Sequence, residues 1–238
     1  MSVNVLREGL SRLGFEENEF FGIKTRAVSE LEELMSRYTN ELLKFNARFD
    51  LVSDCGYETA IVRHVLDSLS AAKLIAKIAS EILKKRQVGK LTIADIGSGA
   101  GLPGIPLAAA FENMNFVLVE RMTKRCEFLE HCLKTLCLSN AKIQNEQVER
   151  LAQNSFDVAV MRAFHPLTKK TARVLLRIIK AGGKLAAYKA KSERIAEEMA
   201  SLSPNIPEYT TEKLTVPFLT DDTPASQARK RNLLIITK

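Results

Sequence analysis

Apolar residues recur at helical spacing from Ala27 to Phe45, through Val28, Leu31, Leu34, Met35, Tyr38, Leu42 and Leu43, which predicts an amphipathic helix. Asp50 to Gly56 breaks the pattern. It resumes from Ile61 to Leu83 through Val62, Val65, Leu66, Leu69, Leu74, Ile75 and Ile78, and Lys84-Lys85-Arg86 closes this second helix, where cations suit a C-terminus. At Leu91 the pattern changes. Leu91 to Ile96 is an apolar run that reads as a buried strand, and Ile105 to Phe111 reads as a helix. Phe116 to Val119 (strand), Thr123 to Leu138 (helix), Ala141 to Gln144 (strand) and Phe156 to Met161 (strand) follow. Leu167 to Lys180 predicts a helix stopped by Gly182-Gly183. Lys184 to Lys189 is a fifth strand and Ser192 to Ser201 a last helix. Thr211 to Val216 and Leu233 to Thr237 are two more strands with no room for a helix between them.

The pattern divides the chain into a helical extension, residues 1–86, and an α/β domain, residues 87–238, packed as one unit. The inventory implies a seven-stranded, mainly parallel sheet covered on both faces, closed by an antiparallel C-terminal pair. Loops are expected at Pro204 to Pro207 and Thr220 to Ser226. A hydrophobic content of 46% is enough for a sizeable core and argues against disorder. The net charge of +7 favours an anionic partner, most simply nucleic acid. Trp is absent, so there is no rich stacking platform for single strands.

Cys55, Cys126, Cys132 and Cys137 form no C-x-x-C pair, and His131 and His165 have no metal-ligand spacing, so no metal site is expected. Reduced thiols and a cytoplasmic location follow as the default. The start carries Arg7 and Glu8 and does not read as a secretory signal. No stretch reaches the ~20 apolar residues of a membrane span.

Gly97, Gly99, Gly101 and Gly104 lie between the first strand of the domain and its helix. Strand, glycine loop and helix together form a receiver for a nucleotide-like cofactor, because glycines admit a ligand close to the backbone. The pattern alone serves NAD, FAD and S-adenosylmethionine alike. Glu120 ends the second strand, about 20 residues on, where an acid accepts bonds from ribose hydroxyls and repels a 2′-phosphate. The antiparallel ending of the sheet favours a Rossmann-like S-adenosylmethionine-dependent methyltransferase over a dehydrogenase. An NAD-dependent oxidoreductase shares the loop, but nothing nominates its acid or base. A module that holds RNA and cofactor without catalysis also stays open.

His64 and Asp67 are three residues apart and share a helix face, either as a functional pair beside the cofactor mouth or as a surface hydrogen bond. Arg162 to His165 follow the fourth strand at the ligand-binding edge; Arg162 there meets a ligand or bonds loop carbonyls. Lys189 and Lys191 end the fifth strand at the same edge. Arg229-Lys230-Arg231 grips phosphate or guards an edge strand.

Together these segments resemble the bacterial small-subunit ribosomal RNA methyltransferase G family, also called glucose-inhibited division protein B. The resemblance runs from about Phe45 to Lys238 and leaves residues 1 to about 25 outside it. Its landmarks are Phe45-Asn46 with Asp50-Leu51, Arg63-His64-Val-Leu-Asp67-Ser68, Asp95-Ile-Gly-Ser-Gly-Ala-Gly-Leu-Pro-Gly-Ile-Pro106, Lys124-Arg125 with Phe128-Leu129, Val148-Glu149, Arg162-Ala-Phe164 and Arg231-Asn-Leu-Leu-Ile-Ile236. The family usually has Trp-Asn and Asn-Leu-Thr where this chain has Phe45-Asn46 and Asp50-Leu51-Val52.

The resemblance implies methyl transfer from S-adenosylmethionine to N7 of the guanine usually numbered 527 in 16S rRNA of the small ribosomal subunit; a monomer is the default expectation. It implies that Gly97 and Leu102, with Gly99 and Gly101, hold the cofactor from the loop, and that Val148 and Glu149 sit at the adenine. Glu120 is assigned to the ribose. Arg162 closes the site, and Arg162 or Lys189 fixes the base through O6 or a phosphate as the catalytic cations. Arg63, His64, Lys189 and Lys191 are expected on the RNA. Arg162→Ala is then expected to cut methylation and leave the fold intact. Guanine N7 has a lone pair and no proton, so the reaction needs no general base, and no Cys–His pair or carboxylate dyad is in evidence.

Overall fold

The structure, a computed structural model, describes residues 4–53, 56–87, 89–163, 167–190, 192–202, 208–220 and 229–238. Cys55, Phe164, His165, Lys191, Pro204 to Pro207 and most of the expected loop from Thr220 to Ser226 lie outside them.

The chain opens with α1 (Val5–Arg12), whose first turn is capped by the Asn4 side chain accepting from the Arg7 amide. A two-residue hairpin follows, β1 (Glu19–Phe20) and β2 (Ile23–Lys24), turned by Phe21 and Gly22 at positive φ. Strands this short have no readable alternation, so the pattern did not predict them. Helix α2 (Val28–Phe49) buries Leu31, Met35, Tyr38 and Leu42, one stripe at helical spacing. It ends at Asp50 in the left-handed region.

The expected helix from Ile61 to Leu83 is instead a succession. It consists of α3 (Tyr57–Ala60), a π-helical turn (Ile61–Leu66), α4 (Asp67–Leu69) and α5 (Ala72–Arg86). Ser68 Oγ donates to the His64 carbonyl at 2.6 Å and Ser70 Oγ to the Asp67 carbonyl at 2.7 Å. Such bonds compete for carbonyls that a regular helix would use. The π turn carries the Arg63-His64 pair, and wide turns of this kind often mark working sites.

The α/β part alternates β3 (Thr92–Ile96), α6 (Gly104–Ala110), β4 (Asn115–Val119), α7 (Thr123–Thr135), β5 (Ala141–Gln144) and β6 (Phe156–Arg162). It continues with α8 (Lys169–Ile178), β7 (Ile179–Lys189), α9 (Ser192–Leu202), β8 (Tyr209–Leu214) and β9 (Arg231–Thr237). The sheet order is β5-β4-β3-β6-β7-β9-β8, with β9 antiparallel to both neighbours and the other pairs parallel. Alternate residues face two cores. Ile93, Phe116 and Leu118 pack with α2, α5 and α6, while Ala94, Ile96, Val117 and Val119 pack with α8 and α9.

Gly182-Gly183 does not stop α8. The helix ends at Ile178 and the glycines lie inside β7. There the β6 partner jumps from Ile179 to Lys184 as Phe156 gives way to Val158, with Gly182 at φ 71°. The pair makes a bulge, and a Cβ on Gly183 would lie 2.5 Å from the Asp157 carbonyl oxygen. Helix α7 stops short of Cys137, whose φ is 53°; Cys126 and Cys132 are buried and Cys137 is exposed.

The chain leaves β3 for β4 and β5 on one side, then crosses back from β5 to place β6 on the other side of β3. That reversal of strand order opens a crevice above the carboxyl ends of the strands, where open α/β sheets receive ligands.

Candidate active site

The crevice has a volume of about 470 Å³. Its floor is Ile96 and Gly97 at the end of β3, one wall is Glu120 with Arg121, Met122 and Arg125, and the other is Gln147, Val148, Glu149 and Ala163. Gly97 and Glu120, picked out by the pattern, are thus brought together with Val148 and Glu149, picked out by the resemblance. Glu149 sits in the short turn Val148–Arg150, and its carbonyl accepts from Arg177 Nη2 at 3.0 Å, which ties that wall to α8.

The four glycines divide into two roles. Gly97 and Gly99 face the opening at φ 70° and 58°. A Cβ on Gly99 would meet nothing closer than the Gly97 carbonyl oxygen at 3.8 Å and would lie 4.0 Å from Nη1 of Arg125, a residue of the crevice wall. This is a cradle that fits a ligand lying on the backbone. Gly101 and Gly104 face inward: a Cβ would come within 2.4 Å of Ile105 Cδ1 in one case and of Leu118 Cδ2 in the other. Leu102 is 5% exposed and belongs to the core. Gly101 and Leu102, expected on the cofactor, pack against the core on their side-chain side and are not among the residues lining the crevice.

Glu120 is buried, with Oε2 accepting from the Gly99 amide at 3.0 Å and Oε1 from the Met122 amide at 2.9 Å. Two amides thus orient the carboxylate, and its remaining lone pairs suit a pair of ribose hydroxyls. Asp95 anchors the loop from below. Its Oδ2 accepts from Ser98 Oγ at 2.7 Å and from the Gly104 amide at 3.0 Å.

Burial pushes the Asp95 carboxyl up to about 6, against the pull of Ser98 and Gly104. A raised folded-state pKa means that the stabilising proton is held at low pH and lost as pH rises from about 4 to about 6, at ~1.4 kcal/mol per unit. Asp95→Asn is expected to remove that slope. Its stability relative to the parent, from urea unfolding, should rise by about 2–3 kcal/mol between pH ~4 and pH ~7. A constant difference would contradict the assignment.

The two cations expected to be catalytic are engaged elsewhere, and neither lines the crevice. Arg162 Nη1 donates to Asp67 Oδ2 at 2.8 Å and to the Arg63 carbonyl at 3.1 Å. Arg231 Nε donates to the other Asp67 oxygen at 2.9 Å. Asp67 is 4% exposed, so one buried carboxylate joins the ends of β6 and β9 to α4. The sequence showed His64 opposite Asp67, but the partners are the two arginines, which are distant in the chain. Arg162→Ala consequently cannot leave the fold untouched, because it strips a buried anion of one of its cations. His64 is half-buried; burial and the Arg162 guanidinium push it down to about 4, so it is neutral at physiological pH. Lys189 Nζ pairs with Glu198 on α9 at 2.7 Å. Arg63 is exposed at the same edge, and Lys191 lies outside the described residues.

Arg121, Met122 and Gln147 escaped the sequence reading, and Arg125 was named there only as a landmark of the resemblance, without a role. Arg121 and Met122 directly follow Glu120 at the strand end, and that position was the available signal.

Solved structures share this architecture. A putative S-adenosyl-L-methionine-dependent methyltransferase from Methanococcus maripaludis aligns with TM-score 0.53 and 16% identity, over 85% of this chain and 93% of that one. A tRNA (m1A58) methyltransferase from Aquifex aeolicus aligns with TM-score 0.55 and 13% identity, over 84% and 75%. With β9 threaded antiparallel between β7 and β8, the class is the Rossmann-like S-adenosylmethionine-dependent methyltransferase fold. The rRNA small subunit methyltransferase G family model matches residues 16–227. The Ribosomal RNA small subunit methyltransferase G of Treponema denticola is 38% identical over 258 aligned residues, covering 100% of this chain and 97% of that protein. The protein of that name from Treponema pallidum is 36% identical, over 82% and 83%. The chain belongs to the rRNA small subunit methyltransferase G family. The likeness begins well before Phe45 and takes in the first 25 residues.

Proposed function

We propose that the protein transfers the methyl group of S-adenosylmethionine to N7 of a guanine, the one usually numbered 527, in the 16S RNA of the small ribosomal subunit. The observation that carries the reading is the open Gly97–Gly99 cradle facing a buried, amide-oriented Glu120, in a member of this family. A ribosomal substrate places the work in the cytoplasm, and the reading takes the protein as a monomer.

When bound, S-adenosylmethionine supplies a sulfonium methyl, whose carbon bonds to N7 while the C–S electron pair leaves with sulfur. Glu120 would hold the ribose, Gly97 and Gly99 would let the ligand lie against the β3 loop, and Val148 with Glu149 would flank the adenine. No side chain has to take a proton, because N7 attacks through a free lone pair. The residues therefore contribute alignment, which supplies up to ~7–11 kcal/mol in well-oriented reactions. Arg162, fixed by Asp67, sets the position of Ala163 in the crevice wall. Arg63, His64 and Lys189 would meet RNA from this edge, with Lys191 expected beside them from the sequence alone, and binding through the arginine and the lysines should weaken as salt rises.

Small subunits lacking the modification, incubated with the protein and methyl-labelled cofactor, should gain label on one guanine. That guanine should become sensitive to the strand scission specific for 7-methylguanine. Label on another atom or base would overturn the N7 assignment, and no label would overturn the activity.

A further inference from the structure

The cofactor loop is held by one residue from far outside the α/β part. Tyr38, on α2, is 0% exposed, and its hydroxyl donates to the Ala100 carbonyl at 2.7 Å. Burial pushes the phenol well up, so it remains a donor. The loop's other bonds come from close by. The Gly97 and Ser98 amides donate to the Val119 carbonyl, the Gly101 and Leu102 amides to the Ser98 carbonyl, and the Gly99 and Gly104 amides to Glu120 and Asp95. These fix amides. Among the described residues, Tyr38 is the side chain that fixes a loop carbonyl.

The peptide it holds lies between Gly99 and Gly101, both in the left-handed region. Glycines on either side leave that peptide the greatest freedom to rotate once a bond is lost. Packing alone does not call for the hydroxyl, since phenylalanine fills the same core space. A buried hydroxyl is costly unless bonded, and the Tyr38 hydroxyl finds its partner in this carbonyl. The preceding segment also grips the far end of the same unit. The Arg26 amide donates to the Ala110 carbonyl and Arg26 Nε to the Ala109 carbonyl, each at 2.9 Å. Loop and α6 are thus bracketed by residues of the helical extension.

We infer that Tyr38 is a positioning residue for cofactor binding: its hydroxyl locks the Ala100 peptide and so presets the Gly97–Gly101 loop in the shape that receives the ligand. The inference rests on the proposed methyltransferase reading. It makes residues 1–86 part of the working site rather than an appendage.

The test compares Tyr38→Phe with Tyr188→Phe. Tyr188 is a second buried tyrosine, and its hydroxyl donates at 2.6 Å to the Ser68 carbonyl rather than to a carbonyl of the loop. Calorimetric titration with S-adenosylhomocysteine should show affinity about five- to tenfold weaker for Tyr38→Phe, the scale of one net hydrogen bond, and unchanged for Tyr188→Phe. The KM for S-adenosylmethionine should rise alike while kcat holds. Hydrogen exchange at the Gly101 and Leu102 amides should quicken in unliganded Tyr38→Phe only. Parental affinity and exchange in Tyr38→Phe would overturn the inference. So would equal weakening in both variants, or loss of folding in Tyr38→Phe, since either marks a merely structural hydroxyl. A parent protein that binds no S-adenosylhomocysteine would instead sink the cofactor reading.

Discussion

Asp67→Ala is expected to destabilise the protein by about 3–5 kcal/mol, the usual result of breaking a buried ion pair from one side. The carboxylate is 4% exposed and receives Arg162 Nη1 and Arg231 Nε on separate oxygens. Alanine would leave two guanidiniums at one spot, 14% and 27% exposed, with no anion between them. Asp67→Asn should cost less, because the amide oxygen still accepts one arginine while its NH2 opposes the other. Urea unfolding at neutral pH measures both. A loss below about 1 kcal/mol for alanine would mean that solvent already screens this clamp.

Glu120→Ala should weaken S-adenosylhomocysteine binding by about two orders of magnitude. The substitution removes the proposed ribose acceptor, and bonds to a charged group are worth roughly 1.5–3 kcal/mol each. It also frees the Gly99 and Met122 amides, which the two carboxylate oxygens now hold. Glu120→Gln retains a single acceptor oxygen and should fall between the two. Calorimetry reads this directly; a loss of less than about tenfold in the alanine variant would assign the ribose to another residue.

The parts legible in the sequence were those set by local spacing. The run from Leu91 to Ile96, the glycine loop and Glu120 at a strand end each carry a short-range signature, and the structure sets them around one crevice. The seven strands and their antiparallel finish could be counted from apolar runs. Misreadings arose where distant contacts override local preference and, in one helix, where short side chains bond back to the nearby backbone. Gly182-Gly183 looks like a helix stop but forms a bulge, because Asp157 on the neighbouring strand leaves no room for a Cβ. The helix expected from Ile61 to Leu83 is divided where serine hydroxyls bond back to the backbone. Arg162 was read as meeting a ligand or bonding loop carbonyls; it donates to the Arg63 carbonyl, and its carboxylate partner Asp67, 95 residues away, had no local signal. Tyr38 read as one more apolar position on a stripe, because nothing local distinguishes a bonded hydroxyl from a ring.

Strand β9 is the last-made of the seven strands, yet it lies inside the sheet with β7 on one side and β8 on the other. A nascent chain that has reached β8 therefore has nowhere to dock that strand until residues 231–237 thread between it and β7. A product truncated before Arg231 would expose the flank of β7 as a bare pairing edge, a template for aggregation. The same truncation would strip Asp67 of its second arginine. Such fragments should be insoluble and quickly degraded, so the strand order itself penalises incomplete products.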